Sequence, residues 1–442
     1  MKNTQEKIVY LVNCVDTEGP LYESLTATFE QLKIVFGLEI TPSKINLEKL
    51  RRGEGVPLAI RALVTDFVSP LGRLNYNSNW AEVDKMLDDI LSSRWRDAHL
   101  DDFGGGCIFN WFIVDHVGYI NNPRKRALGY HTIFEHYREK LKKFSCNRDE
   151  VHWHFHPVPF YRQCNKSSNN FSYTNEHLQV LSRRVIDYQW FPCAFRPGFH
   201  CERPDINLFL EQWIPFDFGN QGMDKESNRK TDLQHDVGIG RYGDWRRATA
   251  EWEVYHPDFY DYQKKGTMRR FIARCLNAQS RIRQINRHEV EKAFNRADSN
   301  LKTIMAIAIH DERDQRKHLD DIYKLIRDVQ KQYPQVKIKN SGAVMAMREV
   351  LGLKPEKPVK FEVRLRGNLL EVKTDKACWG PQPFFCFKTK DKKYIHENLD
   401  YHGGRHWSYV FDEDTICLNR LEAIGLATND SYGNSSVWRM IL

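Results

Sequence analysis

The run His152-Trp153-His154-Phe155-His156-Pro157 alternates three imidazoles with two aromatic rings. In a β-strand alternate side chains share a face, so His152, His154 and His156 project together while Trp153 and Phe155 pack behind them. Neutral imidazole is the commonest protein ligand for zinc and similar ions, and two such ligands with a carboxylate leave positions open for water and substrate. A single histidine of this kind is more often satisfied by a backbone carbonyl. Three on one face, directly before a proline, point instead to a metal centre.

Other residues of chemical interest stand at the ends of apolar runs. Asp16 and Glu18 flank Thr17 directly after the apolar run 8–15. Carboxylates there occupy the mouth where α/β barrels keep their catalytic groups, although an acidic turn capping the next helix has the same composition. Arg196 precedes Pro197-Gly198 after an apolar stretch and can reach a carboxylate as a bidentate partner, as well as being an ordinary surface arginine beside a turn. His310 ends the run 303–309, where an imidazole suits a general acid. Asp115 ends the run 107–114, with His116 after it, and fits either a metal or substrate contact or a structural hydrogen bond.

These runs must be strands, and helical patterns separate them. Leu21, Leu25, Phe29 and Leu32 recur at helical spacing before Gly37, and Trp80, Val83, Leu87 and Ile90 do so again. Further helices are expected over 131–141, 176–187, 319–329 and 341–350, and short strands at 216–220 and 336–338. Residues 38–78, with Arg51-Arg52-Gly53-Glu54-Gly55 and Ser69-Pro70-Leu71-Gly72, read as a loop or insertion beside the mouth. Residues 164–175 read as a polar loop and 221–265 as loops over the site. The alternation predicts an α/β barrel over 1–352. The proline-bearing segment 353–358 then reads as a linker to a β-rich domain over 359–442, in which Val359, Phe361, Val363 and Leu365 alternate with charge and Gly367-Asn368 makes a hairpin turn. Its aromatics, among them Trp379, Phe384, Phe387, Trp407 and Trp438, suit a core or a sugar-stacking surface.

The chain of 442 residues is 41% hydrophobic and 28% charged, which supports a real core. No stretch approaches the roughly 20 apolar residues of a membrane span. The first apolar run is too short for a signal peptide, and ten cysteines without a C-x-x-C pair fit free thiols, so a cytoplasmic protein is expected. The net charge of +8 is scattered, and nucleic acid is not an expected partner.

Taken together and in order, Asp16 and Glu18, the histidine strand before Pro157, Arg196-Pro197-Gly198 and His310 resemble the NodB-homology polysaccharide deacetylases. The resemblance covers about residues 5–352. It implies a distorted, often seven-stranded (β/α) barrel of the NodB type, here followed by a C-terminal all-β domain. In the family's first motif a base aspartate precedes a metal aspartate, which implies Asp16 as base and Glu18 as carboxylate ligand. The spacing H-x-x-x-H-P implies His152 and His156 as ligands, whereas the H-x-H-P form of divergent members implies His154 and His156. Arg196 would orient the base and His310 would act as the acid. Asp217 stands in for the family's aspartate-tryptophan motif, and with Asp115 and Trp153 it completes the candidate substrate contacts. The resemblance implies a divalent metal, zinc foremost, and removal of an N-acetyl group from an amino sugar or glycan intermediate. Hydrolysis of another non-peptide C–N bond, or glycan binding without turnover, are the competing readings.

Overall fold

The apolar run near the N-terminus forms β1 (Lys7–Thr17), which is buried along most of its length and hydrogen-bonded on both edges. The computed structural model describes residues 6–21, 24–69, 76–115, 131–156, 175–224, 243–278 and 283–442. Beyond β1 the parallel strands are β2 (Phe109–Asp115), β3 (Glu150–Phe155), β4 (Ala194–Pro197) and β5 (Phe216–Asn220). After the short antiparallel β6 (Val254–Tyr255) come β7 (Phe271–Asn277), β8 (Thr303–His310) and β9 (Val336–Asn340).

Strands β1 to β5, β7 and β8 close into a seven-stranded parallel barrel. One edge of β1 pairs with β8 from Val9↔Thr303 to Asp16↔His310. The other edge is divided: Lys7 to Leu11 pair with β9, and Asn13 to Thr17 pair with β2. The barrel is therefore sealed between β1 and β2 only toward its C-terminal mouth, while β9 occupies the same edge below.

Helices surround the strands: α1 (Leu25–Phe36), α2 (Lys44–Arg51), α3 (Arg61–Phe67), α4 (Trp80–Ile90), α5 (Ser93–Asp97), α6 (Thr132–Lys143), α7 (Glu176–Tyr188), α8 (Pro204–Trp213), α9 (Arg287–Asp298), α10 (Arg316–Gln330) and α11 (Ala343–Leu351). Their ends follow capping chemistry. Ser24 accepts from Ala27 N at the start of α1, and Gly37 ends it in the left-handed region at φ 68°. Leu21 lies before that helix, its N–H donating to Asn77 O. The region 38–78 is not a plain loop. Ser43 caps α2, and Phe29, Leu32, Leu47, Leu50, Val64 and Phe67 give α1 to α3 a small core of their own. Pro70 to Gly72, His116, Pro157 and most of the stretch 164–175 lie outside the described residues.

The barrel interior is filled by Val12, Cys14, Phe112, Phe218, Cys275 and Ala306, and α11 plugs its lower end with Ala343, Val344 and Met347. The plug is anchored by Glu150, whose carboxylate accepts from Val344 N at 2.8 Å.

After α11 come two four-stranded antiparallel sheets. Their strands are β10 (Phe361–Arg366), β11 (Leu369–Thr374), β12 (Phe384–Thr389), β13 (Tyr394–Glu397), β14 (Asp400–Gly403), β15 (His406–Val410), β16 (Leu421–Asn429) and β17 (Ser435–Ile441). The orders are β10-β11-β15-β14 and β13-β12-β16-β17, with Gly367 at φ 61° in the β10–β11 turn. Leu370, Val372, Phe385, Phe387, Trp407 and Tyr409 meet between the sheets. These aromatics, with Trp379 and Phe384, are buried, and Trp438 packs against the same core, so they are core residues and not a sugar-stacking surface. The second sheet also lies on the barrel, where Phe384 and Ala427 pack with Val185 of α7 and Trp213 of α8. Among the described residues no helix is long and apolar enough to cross a membrane, and every cysteine is a free thiol.

Candidate metal centre

Strand register brings the chemistry-bearing residues to one mouth. Asp16 lies beside His310 across the β1–β8 ladder, and His154 lies beside Arg196 across the β3–β4 ladder. Arg196 crosses the barrel and donates from Nε and Nη2 to the two oxygens of Asp16 at 2.7 and 3.0 Å, while its Nη1 donates to Phe218 O at 2.6 Å. Both partners are buried, and a planar fork on a carboxylate fixes its orientation as well as its charge. Burial pushes the Asp16 carboxyl up, but Arg196, His154 and His310 outweigh it and hold Asp16 well below the usual carboxylate range.

Glu18, His154 and His156 converge beside this pair, one donor atom from each lying within 4.8 Å of the others. His156 Nε2 is 3.2 Å from Glu18 Oε1, and His154 Nε2 is 3.8 Å from the same oxygen. His154 donates from Nδ1 to the carbonyl of Arg196 at 2.9 Å. That bond fixes the tautomer and turns Nε2 toward Glu18, where it is buried without a hydrogen-bond partner among the described residues. Burial disfavours a charged His154 ring, yet the carboxylates of Asp16 and Glu18 raise its pKa above the ordinary value. Two buried carboxylates and a stranded ring nitrogen make a place that wants a cation. The donor set of two imidazoles and one carboxylate fits a divalent ion such as zinc.

A further shell holds Glu18 in place. Asp311, which follows His310, accepts from Glu18 N at 2.7 Å and from Gly19 N at 2.9 Å, and Tyr137 donates to it at 2.7 Å. Burial and the neighbouring Glu312 push the Asp311 carboxyl up to about 7 despite these donors. Sequence reasoning missed Asp311, Tyr137 and Glu150, since nothing in their spacing marks them.

His152 is not part of the centre. It faces the interior one pleat lower, where its Nε2 donates to Glu150 Oε2 at 3.0 Å, so it belongs to the network that anchors α11. The pair brought to the carboxylate is His154 and His156, the H-x-H-P arrangement. The three expected substrate contacts are corrected for one reason: in β2, β3 and β5 they occupy the outward-facing phase of the strand. Asp115 pairs with Arg184 of α7 at 2.5 Å and accepts from Trp153 Nε1 at 3.0 Å behind the barrel wall. Trp153 packs with Phe195 and Phe209 there. Asp217 is held by Arg270 at 2.8 Å, in a buried cluster with Glu202. His310 stays at the mouth, its Nε2 3.7 Å from Asp16 and its side chain 24% exposed.

No protein-family model and no curated protein matches the chain. Among solved structures, it aligns with a superoxide reductase from Giardia intestinalis at 12% identity and a TM-score of 0.16, over 20% of this chain and 100% of that one. It also aligns with a modular endo-β-1,4-mannanase from Cellulomonas fimi at 8% identity and a TM-score of 0.22, over 98% of this chain and 92% of that one. Neither likeness bears on fold or activity.

Proposed function

We propose that this chain is a metal-dependent hydrolase that removes an N-acetyl group from an amino sugar or glycan intermediate, on a barrel of the NodB type. The observation that carries the reading is the meeting, at one barrel mouth, of the Glu18–His154–His156 donor set with the Asp16–Arg196 pair and His310. A pure binding site needs neither a base nor an acid.

Glu18, His154 and His156 would hold the ion, zinc first among the candidates. Bound there, a divalent ion supplies polarisation of an acyl carbonyl and a water of lowered pKa. The protein's own groups divide the proton traffic. Asp16 is ionised throughout the neutral range and accepts the proton of the attacking water, with Arg196 fixing the direction from which it does so. A carboxylate held so low is a poor base toward ordinary water, which ties its role to the donor set beside it. His310, partly exposed at the rim, carries a proton to the departing amine. Its place across the ladder from Asp16 keeps acid and base within reach of one substrate bond.

The test is elemental analysis of purified protein with acetate release from acetylated amino sugars. Near-stoichiometric zinc that is lost in His156→Ala, with acetate release that is lost in Asp16→Asn while zinc is kept, supports the reading. Wild-type protein that neither carries nor takes up a divalent ion overturns it.

A further inference from the structure

A groove of about 440 Å³ opens on the seam between the barrel and the second β-sheet. One wall is a face of α7, where Asn175 at the helix cap, Gln179 and Arg183 follow one another at helical spacing. The other wall is the β12–β13 turn and the start of β13, which supply Lys392, Lys393 and Tyr394. Three cations thus line one concavity, and no carboxylate is among the described residues that line it. The volume is that of a small-molecule site.

The way these groups are held shows what they can do. The Arg183 guanidinium lies over the Tyr394 ring, 4.5 Å from its centre, which orients the plane of its fork. Tyr394 is fixed in turn by its hydroxyl, which donates to Asp187 at 2.5 Å. Lys393 pairs with Asp391 at 2.8 Å and Lys392 with Glu422, two carboxylates outside the lining, and both lysine side chains are largely exposed. Exposed pairs of this kind are weak, so both ammonium groups can turn to a ligand of higher charge. Lys392 also stands where its backbone is unfavourable. Its φ is 65°, in a turn closed by bonds from Lys392 N to Thr389 O and from Thr389 N to Lys393 O, both 2.9 Å. Glycine or asparagine takes that conformation with less strain, yet the position carries a charge that reaches the groove.

We infer that this groove is a second ligand site, which takes a phosphorylated sugar. Its phosphate lies against Arg183, Lys392 and Lys393, since a guanidinium fork and two ammonium groups match a phosphate in charge and donors. Its hydroxyls lie against Asn175 and Gln179, whose exposed amides both donate and accept. The groove shares no residue with the metal centre, so the inference does not depend on the hydrolase reading.

The experiment is calorimetric titration of the full chain with glucose 6-phosphate, glucose and inorganic phosphate. Glucose 6-phosphate should bind at one site, inorganic phosphate about tenfold more weakly, and glucose without detectable heat. Lys392→Gly removes the charge and relieves the turn, so it should weaken glucose 6-phosphate about tenfold while the melting temperature holds or rises. Lys390→Gln removes the same charge from an exposed neighbour outside the lining and should leave the affinity unchanged, as should His156→Ala at the metal centre. Wild type that takes up no glucose 6-phosphate overturns the inference, and so does equal affinity for inorganic phosphate. Equal weakening by Lys390→Gln and Lys392→Gly assigns the binding to diffuse surface charge, and loss in His156→Ala alone assigns it to the metal centre; either overturns the inference as well.

Discussion

Among the three histidines of one strand, hydrogen-bond partners decide what each can do. His154 gives its Nδ1 proton to a carbonyl and keeps Nε2 for the centre, whereas His152 spends Nε2 on Glu150. His152→Gln should therefore retain zinc near stoichiometry in elemental analysis while lowering the melting temperature, and His154→Ala should lose the metal. Asp311 acts at one remove, since its carboxylate fixes the backbone on either side of the Glu18 peptide. Asp311→Asn replaces an acceptor by a donor facing Tyr137. It should weaken zinc by about 10- to 100-fold in a competition titration while leaving the fold intact by circular dichroism. The sequence made Asp16, Glu18, Arg196 and His310 legible because each stands at the end of an apolar run. It left the choice among the histidines open because alternation places all three on one face and says nothing of depth or partner. Asp115 and Asp217 misled for the opposite reason: a polar residue at a strand end faces the mouth or the outer wall according to a single step of phase.

Elements differ in how openly they announce themselves. Strands β1 and β8 read as unbroken apolar runs, whereas β7 is masked in the sequence by Arg274, an outward residue neutralised by Glu289 at 2.6 Å. Helices α8 and α9 carry plain signals in the sequence: Pro204 at the first turn, then Ile206, Phe209, Leu210 and Trp213, and in the next Val290, Ala293, Phe294 and Ala297. In the segment 38–78 the cluster of charge and glycine around Arg52 hides α2 and α3, whose apolar residues pack with those of α1 in a small core apart from the barrel. The turn after β4 has the tightest tolerance. Gly198→Ala places a methyl against the ring of His156, not in open space, so a drop in zinc affinity of at least tenfold is expected with little change in secondary structure. Unchanged zinc affinity in that variant would mean that the turn is free to move away from the ligand.

At the scale of the molecule, the barrel and the second β-sheet share a buried seam that contains two neutral histidines. His177 of α7 packs on Phe209 at 4.8 Å, and His396 of β13 packs on Phe384 at 4.6 Å beside a groove of about 440 Å³ that Arg183, Lys392 and Tyr394 also line. Burial lowers His177 to about 3, with His396 adding to the effect, and burial lowers His396 to about 4. Both rings bind a proton more readily in the unfolded chain, near pH 6.5, than in the folded one. Their penalty is absent above that pH and grows as pH falls toward the folded values, by up to about 1.4 kcal/mol per unit for each ring. Their contribution should thus lower the melting temperature between pH 6.5 and 4.5, opposed in that window by Asp311, whose raised carboxyl stabilises the fold as it takes up a proton, so His396→Phe should gain in melting temperature relative to wild type as pH falls. An unchanged slope would place the acid sensitivity elsewhere.

The divided edge of β1 has a consequence for how the chain reaches this state. The strand that carries Asp16 and leads into Glu18 is the first in the barrel to be synthesised, yet two of its three partners, β8 and β9, are the last. Until they emerge from the ribosome, β1 can pair only through its upper half with β2, and the lower half of its ladder stays exposed to aggregation. Long-range pairing of this kind makes closure slow, and it leaves His310 and Asp16, the proposed acid and base, apart until the final strands dock. Assembly of the candidate centre and completion of the barrel are therefore one event.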